Sequence, residues 1–480
     1  MSDSLDRFDH PLAGRYASPE MLELFSPRRR YRTWRQVWLA LAEAECELGL
    51  EIPLAALDEM RAALEVEAED LERVRDYERR SRHDVMAHLH AFADRAPAAR
   101  PFLHLGATSA FVTDNADLVI ARQALDLVER RLLAVVAALA GFARRWADEP
   151  ALGHTHFQPA QPTTVGKRAC LWLHDCLLDL ERLRFERGRL RLLGVKGTTG
   201  TQASFLELFA GDHDRVRRLD RVVAEKLGMT ATYAVTGQTY PRKVDAFLLD
   251  LLSGVAQTAS KLATDVRLLA GLKELREPLA ADQVGSSAMP YKANPMRCER
   301  VTALCRWLLT MAANPAHTAA SQWLERSLDD SANRRLALPE GFLCADAILR
   351  VVHNVVDGLV VFPAMIRRNL AEELPFLASE AILVEVVRRG GDRQEAHERL
   401  RVHAREASLR VLEEGAPNPF LTLVAEDPAV PLDRAELEAL LDPTRFVGRA
   451  PEQVRELLDE HVQPLLDAAG DLPAAVDLEV

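Results

Sequence analysis

Four stretches of the chain interrupt its apolar pattern with side chains that can bind anions or move protons. GHTHFQPAQPTT, Gly153 to Thr164, holds His154 and His156 two residues apart. An imidazole titrates near neutral pH, so either can serve as a general acid or base. In extended chain the two would share a face and suit a metal ion. A metal hydrolase built on such a pair needs a repeating strand-helix rhythm that is missing here, so proton transfer is the favoured chemistry. GSSAMPYKANPMRCE, Gly285 to Glu299, sets Lys292 and Asn294 between two prolines. Its Gly/Ser/Pro composition predicts a loop over a site. Arg297, Arg300, Arg326, Arg334 and Arg335 follow, either as an anion site or as a solvated basic helix face.

HLGATSAFVTDN, His104 to Asn115, places Gly106, Thr108 and Ser109 ahead of a long apolar stretch. A helix start of that composition holds a carboxylate or phosphate on its free N–H groups. The plainer alternative is that Thr108, Ser109 or Asp114 only caps the helix. In RHDVMAHLH, Arg82 to His90, the histidines fall on different sides of a helix. That spacing is a poor metal face and favours packing or capping when taken alone.

The elements that must position these groups are helices. Apolar residues recur every three or four positions. From Pro241 to Pro278 a stripe runs through Val244, Phe247, Leu251, Val255, Leu262, Val266 and Leu269. It predicts one helix of roughly 35 residues, about 50 Å long. Asn115 to Ala147 and Thr164 to about Leu193 look alike and are apolar nearly all round, which suits a long bundle continuing into partner subunits. Strand signals are nearly absent. The expected fold is all-α, with an N-terminal helical domain (1–111), a central long-helix bundle (112–361) and a C-terminal helical domain (362–480).

At 480 residues, 48% apolar and 28% charged, the chain has an ordinary globular composition. A net charge of -12 argues against general nucleic-acid or membrane-surface binding. Six scattered cysteines with no CxxC pair fit neither a disulfide framework nor a thiolate zinc site. No signal pattern or long apolar run appears, so a cytoplasmic location is expected. Only seven lysines occur, all between Lys167 and Lys292, which makes a lysine inside a motif a weak pointer to chemistry.

Together these segments resemble the fumarase/aspartase superfamily, whose motif GSSxMPxKxNP is matched in full by GSSAMPYKANP (285–295). RYASPEM (Arg15 to Met21), YRTWRQ (Tyr31 to Gln36), RHDVMAH, HLGATS, THFQPAQ, KGTTGTQASF (Lys196 to Phe205), TGQTY (Thr236 to Tyr240) and LDDSANRR (Leu328 to Arg335) are similar, in order and spacing, to the animal-type branch of the adenylosuccinate lyases. The resemblance spans essentially the whole chain. One departure is Ala293, where this branch usually carries arginine, which bears on the loop's stability or on a contact to substrate or a neighbouring subunit.

The resemblance implies β-elimination of fumarate from a succinyl-purine nucleotide, with no metal and no cofactor. Adenylosuccinate would give AMP, and succinyl-aminoimidazole-carboxamide ribotide (SAICAR) would give AICAR. Ser286 would be the base, acting as an alkoxide, and His156 the acid, with His83 and Lys292 completing the catalytic set. Thr108, Ser109, Lys292 and Asn294 would hold the succinyl carboxylates. Arg15, Tyr16, Arg300, Arg326, Ser331 and Arg335 would face phosphate and ribose. Gln238, Arg82, Asp84 and Thr155 would be further substrate contacts. A homotetramer with shared sites is implied, and no nucleic-acid or membrane partner. The rivals are a sister lyase such as argininosuccinate lyase, and a crystallin-like structural protein on the same scaffold. Retention of Ser286, Lys292, Asn294 and His156 argues against the latter.

Overall fold

Serine and proline start the first two helices. Ser18 and Ser26 accept from the N–H groups of Met21 (3.2 Å) and Arg29 (3.1 Å), and a proline takes the first position of α1 (Pro19–Leu24) and of α2 (Pro27–Glu47). The computed structural model describes residues 8–279, 288–289 and 291–476. Ser286 therefore lies outside the described residues. In α3 (Leu54–Ala62), α4 (Ala68–Ser81) and α5 (Asp84–Arg95) the N-terminal layer is completed. The break between α4 and α5 comes from Arg82, which takes a left-handed backbone (φ 52°), after which His83 caps α5.

Three long helices form the frame. They are α6 (Ser109–Arg145), α10 (Lys243–Gly271) and α13 (Asp330–Asp357), of 37, 29 and 28 residues. At 1.5 Å per residue, α6 spans about 55 Å. Between α6 and α10 come β1 (Pro150–Thr155), β2 (Gln158–Thr164), α7 (Val165–Arg189), α8 (Ala203–Leu208) and α9 (His213–Lys226). Between α10 and α13 come β3 (Leu275–Arg276), α11 (Met296–Met311) and α12 (Asn314–Ser321). The chain then continues through β4 (Val360–Val361), α14 (Pro363–Leu377), α15 (Ser379–Arg388), α16 (Arg393–Glu414), α17 (Phe420–Ala425), α18 (Arg434–Ala439), α19 (Ala450–Glu456) and α20 (Gln463–Asp467). The largest apolar core joins α6, α7, α10, α11 and α13, and Val454 of α19 packs back into it. A second core is built on α2, α3 and α5 and takes in Phe205 of α8 and Leu219 of α9. A third lies among α15 to α18.

The all-α expectation holds, with two local differences. The helix expected from Pro241 to Pro278 stops at Gly271, because Lys273 turns left-handed (φ 61°) and sends Leu275 into a short antiparallel pair with Val361. The stretch around His154 and His156 is an antiparallel hairpin, β1 with β2. Its two-residue loop is His156-Phe157, both at positive φ, as tight hairpins demand. Neither residue type advertises that turn, and Pro159 and Pro162 in β2 read as strand breakers. On α7, Leu171, Leu178 and Phe185 recur every seventh residue and stand exposed. Among the described residues no helix is long and apolar enough to cross a membrane.

Candidate active site

A cavity of about 900 Å³ opens where the starts of α5, α6 and α13 meet the segment around Gln238. Its rim gathers Arg82, His83, Asp84, Thr108, Ser109, Gln238, Arg326, Ser331 and Arg335, all singled out from the sequence. Its inner end is apolar, walled by Phe25, Ile120, Leu338 and Phe342.

His83 is both a cap and a cavity residue. Its Nδ1 accepts from the Met86 N–H (3.4 Å), so in the neutral ring Nε2 carries the hydrogen and faces Ser109 Oγ at 3.3 Å. The next residue, Asp84, accepts from the Val85 N–H (2.7 Å) and from Arg335 Nη2 (2.7 Å). Burial pushes the Asp84 carboxyl up, but these donors outweigh it and hold the group below its ordinary value. His88, by contrast, is core. It is packed between Tyr31 and Trp34, and burial lowers its imidazole to about 4.

Thr108 occupies the cap position of α6 without spending its hydroxyl on the cap. The hydroxyl instead accepts from Gln238 Nε2 at 3.3 Å. Gln238 Oε1 takes a bond from Arg326 Nη1 (2.7 Å), so the side-chain amide is held at both ends, and the Gln238 backbone N–H donates to the Glu325 carbonyl (3.0 Å). Gly237 permits this approach, since a Cβ there would run into the Glu325 backbone. The α6 start therefore presents free N–H groups, two hydroxyls and a neighbouring imidazole, a suitable seat for a carboxylate. Arg326 and Arg335 flank it with the forked donors that suit phosphate.

Asp114 and Arg334 do other work than the sequence suggested. Asp114 is no cap but is buried against Arg242, and Arg334 lies under the cavity rather than on a solvated face. Arg242, Tyr240, Asp117 and Arg30, which also line or underlie the cavity, were missed. Arg242 meets Asp114 and Asp330 across 128 and 88 residues, and Asp117 meets Arg334 across an even longer stretch, so no local pattern marks these two; Tyr240 stands in TGQTY without a role of its own. Burial raises the Asp117 carboxyl, against the pull of Arg334 and Arg30.

The other sequence-predicted residues lie elsewhere on the chain. Thr155 ends β1 and His156 begins the hairpin loop, both exposed. His154 stays in the strand and stacks on Phe157 (5.8 Å), so the single extended face that would pair it with His156 does not form. Arg15 and Tyr16 end a short π-turn, and the Arg300 guanidinium sits over the Tyr16 ring at 5.9 Å. Lys292, Ala293 and Asn294 precede α11. The Tyr16 carbonyl accepts from Arg350 (2.6 Å), sixteen residues along α13 from Arg334. That is about 24 Å of helix from Arg334 and about 12 Å from Phe342, and none of Arg15, Tyr16 and Arg300 is among the residues that line the cavity.

A family model described as Lyase matches residues 14–308, and one described as Adenylosuccinate lyase C-terminus matches residues 375–457. The adenylosuccinate lyase of Saccharomyces cerevisiae is 50% identical over 462 residues, 96% of each chain. That of Schizosaccharomyces pombe is 48% identical over 460 residues, 96% of this chain and 95% of its own. Among solved structures, the 3-carboxy-cis,cis-muconate lactonizing enzyme from Pseudomonas putida is similar with a TM-score of 0.82 and 26% identity, covering 95% of this chain and 99% of that one.

Proposed function

The chain belongs to the adenylosuccinate lyases, within the fumarase/aspartase superfamily, and from that membership we propose that it cleaves adenylosuccinate to AMP and fumarate. The observation that carries this is the 50% identity to a named adenylosuccinate lyase across 96% of both chains. SAICAR presents the same succinyl-amine linkage, and we assign it as a second substrate.

β-Elimination needs a base for the proton beside one carboxylate, donors for the charge that builds on that carboxylate, and an acid for the departing nitrogen. Thr108, Ser109 and the free N–H groups opening a 37-residue helix supply the donors. Arg326, Ser331 and Arg335 supply the phosphate side. Ser286 is assigned as base, with Lys292 and Asn294 beside it in the motif, and His156 as acid. Ser286 needs a strongly stabilised anion to act so, and the Lys292 charge suits that purpose.

The hairpin of His156 packs against α14, beyond the end of α13 opposite the cavity, so a complete site that uses both draws on more than one copy. The exposed Leu171, Leu178 and Phe185 stripe on α7 gives such copies an apolar seam. We assign a homotetramer with shared sites. The test is fumarate release from adenylosuccinate by the purified protein, with and without chelator, beside Ser286→Ala. Chelator-resistant release that the variant abolishes supports the reaction and the base. No release from a folded assembly overturns the substrate assignment, and an active Ser286→Ala overturns the base.

A further inference from the structure

Three of the pieces of chain that frame the cavity are the first turn of α6, the Gln238 segment and the first turn of α13. Two buried arginines tie them together from below. Arg242, 4% exposed, donates from Nη1 and Nη2 to the two oxygens of Asp114 on α6 (2.9 and 3.1 Å), and from Nε to Asp330 on α13 (2.6 Å). Arg334, on α13 itself, donates from Nε to Asp245 on α10 (2.6 Å), and its Nη2 meets Asp117 on α6 at 3.2 Å. Tyr240 lies between the two, with its N–H on Asp114 (3.1 Å) and its ring under both guanidiniums (4.6 and 5.2 Å).

We propose that Arg242 and Arg334 are positioning residues of this active site, setting the distance between the hydroxyls at the α6 start and the phosphate-side groups at the α13 start. The inference rests on the assignment of the cavity to the succinyl nucleotide. Asp114 stands just over one helical turn from Ser109, Asp330 adjoins Ser331, and Arg334 adjoins Arg335. Any slack in the clamp thus moves the two ends of the ligand's seat against each other. The fork is also specific. A lysine ammonium at position 242 cannot keep three fixed donors on two carboxylates, so Asp114 loses part of its donor set or Asp330 loses the Nε bond. A misplacement of about 1 Å in such a seat costs up to roughly a hundredfold in turnover.

The experiment is steady-state kinetics on adenylosuccinate for wild type, Arg242→Lys and Asp330→Asn, each checked for assembly and melting temperature and assayed well below its melting point. Asp330→Asn keeps the shape of the side chain and decides the matter if Arg242→Lys does not fold. The expected result is a KM raised at least about tenfold together with a lower kcat in molecules that are folded and assembled. A clamp that serves stability alone lowers the melting temperature but leaves KM and kcat of the folded molecules within about twofold, and that result overturns the inference. If the wild type itself releases no fumarate, the substrate assignment fails and the inference falls with it. If the wild type is active and the variants match it, only the inference fails.

Discussion

Glu45 of α2 sits in the N-terminal core, fully buried, with neither carboxyl oxygen hydrogen-bonded. Burial raises its carboxyl from an ordinary 4.5 to about 9. In the folded chain it therefore keeps its proton at neutral pH, while in the unfolded chain it has lost it. The unfolded state binds fewer protons between those two values, so stability falls as pH rises through the window from about 4.5 to about 9, by up to about 1.4 kcal/mol per pH unit. Glu45→Gln keeps the shape and removes the titration. Its melting temperature should exceed the wild type's clearly at pH 8 and hardly at all at pH 5. Equal differences at the two pH values would show that the carboxyl is already ionised in the core, or paired.

At the scale of elements, the long helices were legible because a 3.6-residue period survives over dozens of positions. Thr108 and Ser109 were legible because Gly, Ser and Thr cluster at a helix start, Arg326 and Arg335 as a basic cluster, and the remaining rim residues only through the resemblance of their motifs to the family. The hairpin was not legible, since its turn is His156-Phe157 and its second strand holds prolines. Nor was the Arg242 and Arg334 clamp, whose bonds to α6 cross more than a hundred residues of sequence. Another unmarked feature is the joint between α6 and α7. Gly166, in the first turn of α7, donates its N–H to the Trp146 carbonyl at 2.8 Å. A Cβ there would meet the Ala143 carbonyl and come within 2.7 Å of Ala147 Cα, neither of which can yield without moving backbone. Gly166→Ala should cost about 1 to 3 kcal/mol of stability by overpacking. Because β2 runs directly into α7, the same shift tilts the hairpin that carries His156. Thermal melting and kcat should therefore fall together. A variant that melts like the wild type would mean that the two helices have room the packing does not show.

At the scale of the whole molecule, the separation of His156 from the cavity becomes a prediction about mixtures. Within one chain the hairpin packs against α14, beyond the far end of α13, while the cavity lies at that helix's start. With α13 rising 1.5 Å per residue over 28 residues, about 40 Å separates the two ends of that helix. A site that uses both must take His156 from one copy and Arg335 from another. His156→Ala and Arg335→Ala, each made alone, should then be inactive, since every site lacks one of the pair. When the two variants are unfolded together and reassembled, random mixing gives about a quarter of the sites an intact copy of each residue. Activity should return to about that fraction of wild type, and none should appear when the two assemblies are mixed without dissociation. If co-assembled variants stay inactive while wild-type subunits treated in the same way recover, then His156 and Arg335 serve one site from one chain, and the shared-site architecture fails. The α7 seam supplies the matching control. Leu178→Asp places a charge in the apolar stripe, and it should lower both subunit association and activity, whereas the fold of the single chain, measured by its helical content, should persist.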